Sequence, residues 1–276
     1  MTDQTTTSEW RDMHMCAEGV QLFVIGDIHG QASALSSVLS CIADTPRCAP
    51  LRQLVFLGDI IDRGPQSLQS ISLAQEARQL ARVDEVTILP GNHELMLLDA
   101  LDDPMMFMGD WLDNGGDALI AEAAPEQKVR LLADFAQIAH KAVPASFLSE
   151  MRNGPTSLLV GSLLLVHAGL DPQSDARVFL AQPRLGAVGG DHWAWIREPF
   201  LSWQGGWGPE ARWTVIHGHT PAVRQPVTIA EFTLAADHFD THKRICLDAG
   251  AATGLSQVAW AEFRECRYRL GLATSR

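Results

Sequence analysis

The sequence has no long apolar run, no basic cluster and few cysteines, and each absence narrows the class of protein. Its longest apolar stretch, "SLLLVHAGL" at 162–170, is interrupted by His167 and falls short of the roughly 20 residues that span a membrane. The polar N-terminal stretch lacks the pattern of a secretion signal. We therefore expect no membrane partner.

Positive charge is also scarce. There are 21 Lys and Arg against 33 Asp and Glu, for a net charge of -12. Because binding to a phosphate backbone needs a basic face, we expect no nucleic-acid partner. The five cysteines are scattered and form no C-x-x-C pair. We expect reduced thiols, a cytoplasmic location and no metal ligand among them.

The first half of the chain shows the rhythm of βαβ units. Residues 1–20 are Thr-rich and unpatterned, which predicts a loose tail before a single domain over 21–276. Predicted strands at 21–25, 53–59 and 85–92 alternate with helical spacing. That spacing is carried first by Leu35, Val38, Leu39 and Ile42, and then by Leu73, Ala77 and Leu80. The pattern predicts parallel strands joined by helices.

The pattern changes at about residue 95. Residues 95–150 carry Met-, Leu- and Ala-rich helical stretches, which predict a helical insertion. Short strands then follow closely, and their spacing predicts hairpins and an antiparallel sheet. They read "SLLVG", "LLLVHAG", "WTVIHGH", "PVTIAEF", "RICLDAG" and "LSQVAWAEF". The aromatic stretch 191–208 has no strand or helix period and predicts a long ordered loop.

Five predicted strands end in polar side chains beside glycine. The strand ends read "GDIHG", "GDIIDRG", "GNHE", "HAG" and "HGHT". Any one block could be a helix cap, a turn or a structural histidine. All five together predict a ligand site, because ligands of α/β sheets bind at the carboxyl edge of the strands.

The donor types in these blocks indicate a metal site. Imidazole, carboxylate and amide groups suit Mn²⁺, Fe or Zn²⁺ better than Ca²⁺. Six candidate ligands suit two metals that share a carboxylate, an arrangement that clamps a phosphoryl oxygen and activates water. They are Asp27, His29, Asp59, Asn92, His167 and one histidine of the "HGHT" block, His217 or His219. Arg63 could bind phosphate oxygens, and His93, within reach of Asp62, could act as a general acid.

In order and spacing, these blocks over residues 21–262 resemble the calcineurin-like metallophosphoesterases. More narrowly, "DRG" and "GNHE" resemble the phosphoprotein phosphatase (PPP) family, in its small bacterial and lambda-phage type. Further segments match that type: Asn114-Gly115-Gly116, Trp195-Ile196-Arg197-Glu198 and Asp248-Ala249-Gly250-Ala251. The resemblance implies an α/β (α+β) fold, a four-layer αββα sandwich with a helical insertion.

The resemblance also implies residue roles. Asp27, His29 and a bridging Asp59 would hold one metal. The second metal would be held by Asp59, Asn92, His167 and His219. Arg63 and Arg197, with Asn92, would bind the phosphate. His93, positioned by Asp62, would protonate the leaving alkoxide.

Two positions in these blocks stay open. Of the two histidines in "HGH", the resemblance favours His219 as the ligand and leaves His217 structural or beside the ligands. Asp248 would orient a metal-bound histidine or cap a turn.

The main hypothesis is a metal-dependent phosphomonoesterase. It would hydrolyse phosphoserine and phosphothreonine in proteins by direct attack of hydroxide held by two metals, with Mn²⁺ expected and Fe or Zn²⁺ as alternatives. A diadenosine tetraphosphatase is the second hypothesis, although such enzymes usually carry Pro where Ile28 stands. A phosphodiesterase or nuclease and a catalytically dead scaffold are further alternatives. The substrate is expected to be a phosphorylated protein or a small phosphoester, and the oligomeric state stays open.

Overall fold

The computed structural model describes residues 4–127, 131–186 and 189–275. In it the strands form two five-stranded sheets. The first has the order β1 (Gln4–Thr7), β10 (Gln257–Thr274), β2 (Arg11–Ile25), β3 (Leu51–Phe56) and β4 (Glu85–Ile88). The second has the order β5 (Ser157–Val160), β6 (Leu163–Val166), β7 (Thr214–His217), β9 (Arg244–Cys246) and β8 (Asp237–His238).

The side chains of β2 show how the layers stack. Leu22 and Val24 belong to one apolar cluster, which also holds Leu163 and Ile216 of the second sheet. Phe23 and Ile25 belong to another cluster, with the connecting helices. Because successive side chains of a strand point to opposite faces, an unbroken apolar run fits a strand covered on both sides. The predicted α/β fold with stacked sheets is confirmed.

The predicted βαβ rhythm is confirmed in the first sheet. Strands β2, β3 and β4 run parallel, with Ile25, Phe56 and Ile88 in register at their carboxyl ends. Helices α1 (Ala32–Asp44) and α2 (Ser67–Leu80) connect them. All four predicted apolar positions of α1 are buried. In α2 the predicted face is partly wrong, because Leu80 at the end of the helix is 39% exposed.

The prediction of an antiparallel second sheet is wrong at its centre. Strands β6, β7 and β9 are parallel, and only the outer pairs β5–β6 and β8–β9 are antiparallel. The segment "PVTIAEF" is not a strand, because helix α9 (Ile229–Ala236) begins within it. Thr228 and Glu231 form a capping box at its first turn, which outweighs the strand preference of the β-branched residues.

The helical insertion is confirmed for its described residues. Its elements are α3 (Asn92–Asp102), α4 (Pro104–Trp111), a π-helical turn (Leu112–Gly116), α5 (Asp117–Ala123), α6 (Leu132–Ala142) and α7 (Ala145–Asn153). Residues 128–130 lie outside the described residues. The remaining α-helices are α8 (Ala176–Leu180) and α10 (Phe239–His242). The predicted loop 191–208, described throughout, forms only one isolated bridge, from Trp207 to Trp213.

The predicted loose tail over residues 1–20 is wrong from Gln4 onward. Strand β1 pairs with the end of β10, and β2 already begins at Arg11. The 18-residue β10 extends past the parallel strands, and its backbone groups there need partners. The Thr-rich segment supplies them, since β-branched residues suit a strand. The single domain over 21–276 stays a prediction.

The cysteines differ from the prediction at one position. Cys266 is disulfide-bonded, so the expectation of reduced thiols is wrong there. The pairing of its strand with β2 also shifts register twice, once on each side of Glu265. Cys41, Cys48 and Cys246 are free thiols. Every helix of the described residues is too short or too polar to cross a bilayer.

Candidate metal centre

The candidate ligands lie where the strands end. Asp27 and His29 follow β2, Asp59 follows β3, and Asn92 opens the helix after β4. His167 and His219 follow β6 and β7 of the second sheet. His29, Asp59 and His219 have φ values of 45°, 51° and 66°, in the left-handed region. Such strain costs about 1–3 kcal/mol per residue and is concentrated at functional sites.

Two buried clusters share the carboxylate of Asp59. His29, Asp59 and His93 form one, and Asp59, His167 and His219 form the other, with potential ligand atoms within 4.8 Å in each. Oδ2 of Asp59 lies 3.5 Å from Nε2 of His29, and Oδ1 lies 3.4 Å from Nε2 of His167. The two oxygens therefore face different histidines, which suits a carboxylate shared by both sets of donors.

Backbone carbonyls determine which ring nitrogen of three histidines carries the proton. A carbonyl can only accept, so the nitrogen that faces it must donate. Nδ1 of His29 donates to Ile61 O at 3.0 Å, and Nδ1 of His167 donates to Leu57 O at 2.8 Å. Nε2 of His219 donates to Trp195 O at 3.1 Å. The other nitrogen of each neutral ring is left as a free lone pair for a metal.

Asn92 adds an oxygen between two of these lone pairs. Its Oδ1 lies 3.0 Å from Nε2 of His167 and 2.8 Å from Nδ1 of His219. Acceptors that face one another in a buried site repel unless a cation lies between them. Burial alone lowers the pKa of His167, but the Asp59 and Glu94 carboxylates and the Leu57 carbonyl together raise it, so the same position attracts positive charge. This nitrogen and oxygen donor set fits a divalent transition metal.

Asp27 lies beside these clusters rather than in one of them. Its carboxylate accepts the backbone N–H of His219 at 3.0 and 3.2 Å. Burial, with Asp248 and Asp59 nearby, raises the pKa of Asp27 well above its usual value. Burial likewise raises the pKa of Asp248 to about 6, and its Oδ1 accepts the backbone N–H of Gly250 at 2.8 Å. Three buried carboxylates in one place favour a bound cation.

Two glycines let these carboxylates approach the neighbouring backbone. A Cβ on Gly218 would lie 1.9 Å from Oδ1 of Asp27, and one on Gly91 would lie 2.2 Å from Oδ1 of Asp59. Both distances are far below ordinary contact. Glycine is therefore required at these positions for space.

The predicted pair of Asp62 and His93 is in contact. Nδ1 of His93 lies 2.8 Å from Oδ2 of Asp62, and both side chains are buried. Burial alone lowers the pKa of His93, but the Asp59 and Asp62 carboxylates outweigh it and raise that pKa. The indole N–H of Trp111 donates to the same Asp62 oxygen at 2.9 Å. Sequence reasoning missed Trp111.

Both predicted arginines line one cleft beside these clusters. The cleft has a volume of about 280 Å³. It is lined by Arg63, Asn92, Met96, Asp99, Phe107, Asp110, Trp111, Asn114, Trp195, Arg197 and His219. Arg63 and Arg197 are exposed, so their guanidinium groups are accessible to an anion. The cleft thus joins positive charge to the candidate ligands Asn92 and His219.

The Asn114-Gly115-Gly116 segment holds Arg63 in place. Nε of Arg63 donates to Asn114 O at 3.1 Å, and its backbone N–H donates to Gly115 O at 2.9 Å. Gly115 has a φ of 107°, and a Cβ there would lie 2.5 Å from Cγ of Arg63. The helical insertion therefore holds Arg63, a residue predicted to bind phosphate, in position.

Glu94 is a second residue whose role sequence reasoning missed. It is fully buried, and its carboxylate accepts the backbone N–H groups of Asp59, Ile60 and Gly91 at 2.8 Å each. The loops after β3 and β4 are joined in this way. A Glu three residues after the start of a helix often accepts the N-cap backbone N–H, and that position could have identified Glu94.

His217 lies outside both clusters of described residues. Its Nδ1 donates to Gly218 O at 3.0 Å, and its Nε2 lies 3.4 Å from a guanidinium nitrogen of Arg244. Burial, with Arg244 nearby, lowers the pKa of His217 to about 3. Of the two histidines left open by the sequence, His219 is the one placed among the candidate ligands.

Comparisons with known proteins agree with this arrangement. The chain is 32% identical to serine/threonine-protein phosphatase 2 of Escherichia coli over 124 residues, 43% of this chain and 50% of that protein. It is 32% identical to a symmetrical bis(5'-nucleosyl)-tetraphosphatase of Janthinobacterium over 162 residues, 59% of this chain and 48% of that protein. The chain spans about half the length of these curated relatives.

Solved structures share the fold at low identity. A candidate diadenosine tetraphosphatase matches with a TM-score of 0.51 and 17% identity, over 95% of this chain and 97% of that one. A mutant cold-active protein tyrosine phosphatase matches with a TM-score of 0.50 and 17% identity, over 92% and 80%.

The sequence model of the calcineurin-like phosphoesterase family matches residues 20–242. That range includes every candidate ligand and both arginines of the cleft. The resemblance read from the strand-end blocks is thereby confirmed, and this chain belongs to the calcineurin-like phosphoesterase family.

Proposed function

We propose that the chain is a metal-dependent phosphomonoesterase of the PPP type that hydrolyses phosphoserine and phosphothreonine in proteins. One observation carries the proposal. A buried His93–Asp62 pair, at 2.8 Å, lies next to the Asp59-centred donors, beside a cleft lined by Arg63 and Arg197. Metal ligands, anion-binding groups and a proton donor are what phosphate ester hydrolysis requires.

The proposed ligands are the six residues predicted from the sequence. Asp27, His29 and Asp59 would hold one divalent ion, and the other would be held by Asp59, Asn92, His167 and His219. We propose Mn²⁺ as the ion, with Fe or Zn²⁺ as alternatives, since all three suit nitrogen and oxygen donors. When bound, the ions supply a Lewis acid and a water of lowered pKa.

The protein's own side chains bind the phosphate and move the proton. Arg63 and Arg197, with the amide of Asn92, bind the phosphate oxygens and orient the ester in the cleft. Asp62 keeps the proton of His93 on Nδ1, so that Nε2 faces the reaction. From Nε2, protonated His93 gives a proton to the leaving oxygen.

The experiment is hydrolysis of a phosphoserine peptide with Mn²⁺, comparing wild type with His93→Asn and Asp59→Asn. We expect His93→Asn to keep its metals and lose rate, and Asp59→Asn to lose both. The Asp59 carboxylate faces both sets of donors, whereas His93 would act only on the ester. Release of no phosphate by the metal-loaded wild type would contradict the proposal.

A diadenosine tetraphosphatase is the second candidate. It is favoured by the Janthinobacterium relative, whose match covers 59% of this chain against 43% for the Escherichia coli phosphatase. Chromatography of diadenosine tetraphosphate separates the two candidates. ADP release that outpaces phosphopeptide turnover would select the tetraphosphatase.

We also propose a cytoplasmic location, with a phosphoprotein or a small phosphoester as the partner. The disulfide at Cys266 would then be an exception among the free thiols at Cys41, Cys48 and Cys246. Cell fractionation, followed by thiol alkylation before and after reduction, measures both the location and the state of Cys266.

A further inference from the structure

We infer that Trp111 is a positioning residue whose indole N–H holds the Asp62 carboxylate where His93 can deliver its proton to the leaving oxygen. This inference rests on the proposed function and adds a part to it. It assigns a role to the helical insertion, which carries Trp111 at the end of α4.

Only one oxygen of the Asp62 carboxylate accepts hydrogen bonds from other side chains among the described residues. Oδ2 accepts both from Nδ1 of His93, at 2.8 Å, and from Nε1 of Trp111, at 2.9 Å. Oδ1 is buried and has no hydrogen-bond partner among the described residues. The orientation of the carboxylate therefore depends on two side chains, and only Trp111 lies outside the proton-transfer pair.

The indole ring of Trp111 is tightly packed. Trp111 is completely buried, and a Cβ on Gly116 would lie 2.3 Å from its ring. The glycine thus leaves the space into which the indole fits. Because the ring is enclosed, its N–H is fixed in direction and acts as a rigid hydrogen-bond donor to Asp62.

Trp111 lies in a segment of the insertion that also contacts Arg63. The segment 111–116 contacts both Asp62, through the indole, and Arg63, through the Asn114 and Gly115 carbonyls. One short piece of the insertion therefore supports neighbouring residues with two different tasks. The proton-transfer pair and the phosphate-binding side chain are held in a fixed relation.

The chemical step shows what this positioning affects. A water oxygen forms a bond to phosphorus as the bond to the leaving oxygen breaks. The leaving oxygen takes that electron pair together with the proton from Nε2 of His93, and water gives up a proton to solvent. The products are an alcohol and inorganic phosphate. An alkoxide needs this proton far more than para-nitrophenolate does.

The experiment compares wild type and Trp111→Phe, both loaded with Mn²⁺, on a phosphoserine peptide and on para-nitrophenyl phosphate. The phenyl ring keeps an aromatic side chain and removes the N–H. We expect kcat on the peptide to fall by about tenfold or more, part of the 10²–10⁴ that a general acid contributes. We expect less than a threefold change on the aryl ester and unchanged KM on both. An equal loss on both esters would overturn the inference.

Two further variants separate positioning from general damage. Trp207→Phe is the matched control, because Trp207 is also buried and donates its N–H at 2.9 Å to His242 O, outside the candidate cleft. It should retain the wild-type ratio of the two rates. Asp62→Asn should show the same selective loss as Trp111→Phe, and the double variant should lose little more. Additive losses would contradict a shared mechanism.

NMR of the metal-free protein distinguishes failure of this inference from failure of the proposed function. We expect the Nδ1 proton of His93 to exchange slowly in wild type and in Trp207→Phe, and faster in Trp111→Phe. Unchanged exchange in Trp111→Phe would overturn the positioning role. If wild type hydrolyses neither ester, the proposed function fails, and the NMR comparison still decides whether Trp111 positions the pair.

Discussion

A single methyl group added at Gly91 should disable the metal centre by crowding Asp59, although the φ and ψ of Gly91 itself suit any residue. Gly91 has φ -93° and ψ -179°, an extended conformation that any residue adopts. Its hydrogen, however, faces the Asp59 carboxylate. In Gly91→Ala the new Cβ would lie 2.2 Å from Oδ1 and 2.5 Å from the backbone N of Asp59, and 2.8 Å from Cε1 of His167. The effect of the substitution is therefore steric.

The size of the effect follows from that distance. Ordinary contact begins at 3.4 Å, so Oδ1 of Asp59 must move by about 1.2 Å. Displacing a ligand in this way weakens metal binding by about 10- to 100-fold, as loss of a supporting group around a metal does. Overpacking should also cost about 1–3 kcal/mol of unfolding free energy.

The assay is calorimetric titration of chelator-treated protein with Mn²⁺, followed by urea unfolding. Gly109→Ala is the matched control. Gly109 lies exposed within α4, and a Cβ there would meet nothing within 4 Å. That variant should bind Mn²⁺ like wild type and gain about 0.5–1 kcal/mol, since alanine favours a helix. Wild-type Mn²⁺ affinity in Gly91→Ala would refute the reasoning.

Three further predictions concern the support of the site and its pH dependence. Glu94→Gln replaces an acceptor that faces buried N–H groups, so urea unfolding should show a loss of about 2–6 kcal/mol, while the half-buried Glu150→Gln should change stability by less than about 0.5 kcal/mol. A loss in Glu94→Gln no larger than in its control would count against the predicted acceptor role. Because the folded-state pKa of His217 is lowered to about 3, chelator-treated protein should lose stability as pH falls from about 6.5 toward 3, by up to about 1.4 kcal/mol per pH unit. Thermal melts across that range should show a shallower dependence in His217→Gln, and equal slopes would exclude His217 as the cause. Gly115→Ala should raise KM for a phosphate ester by about tenfold by displacing Arg63, with a smaller change in kcat, and steady-state kinetics with an unchanged KM would contradict this.

The candidate site was readable from the sequence because its signals are local. A buried strand followed by glycine and a polar side chain, as at Asp27 and Asp59, carries its meaning within a few residues. Parallel strands then bring such ends to one edge without further information. His167 and His219 could be added by the same rule, although they belong to a second sheet.

Features that depend on distant partners were not readable. The segment after Gln4 has no apolar pattern, and it forms a strand because β10 lies beside it. The parallel centre of the second sheet likewise depends on long connections that no short pattern reveals. In the sequence, Trp111 is one of eight tryptophans, and no local pattern distinguishes it from the others. Its role follows from the direction of one N–H, which only the packed insertion determines.

The contact between Asp27 and His219 has a consequence for the order of events during synthesis. The backbone N–H of His219 binds a carboxylate 192 residues earlier in the chain. A growing chain that has released β2, β3 and β4 carries Asp27, His29, Asp59 and Asn92, but it lacks His167 and His219. Closing so long a loop comes late in folding. The complete centre can form only after most of the chain has left the ribosome. Binding of metal ions by the newly made protein would therefore indicate that its fold is complete.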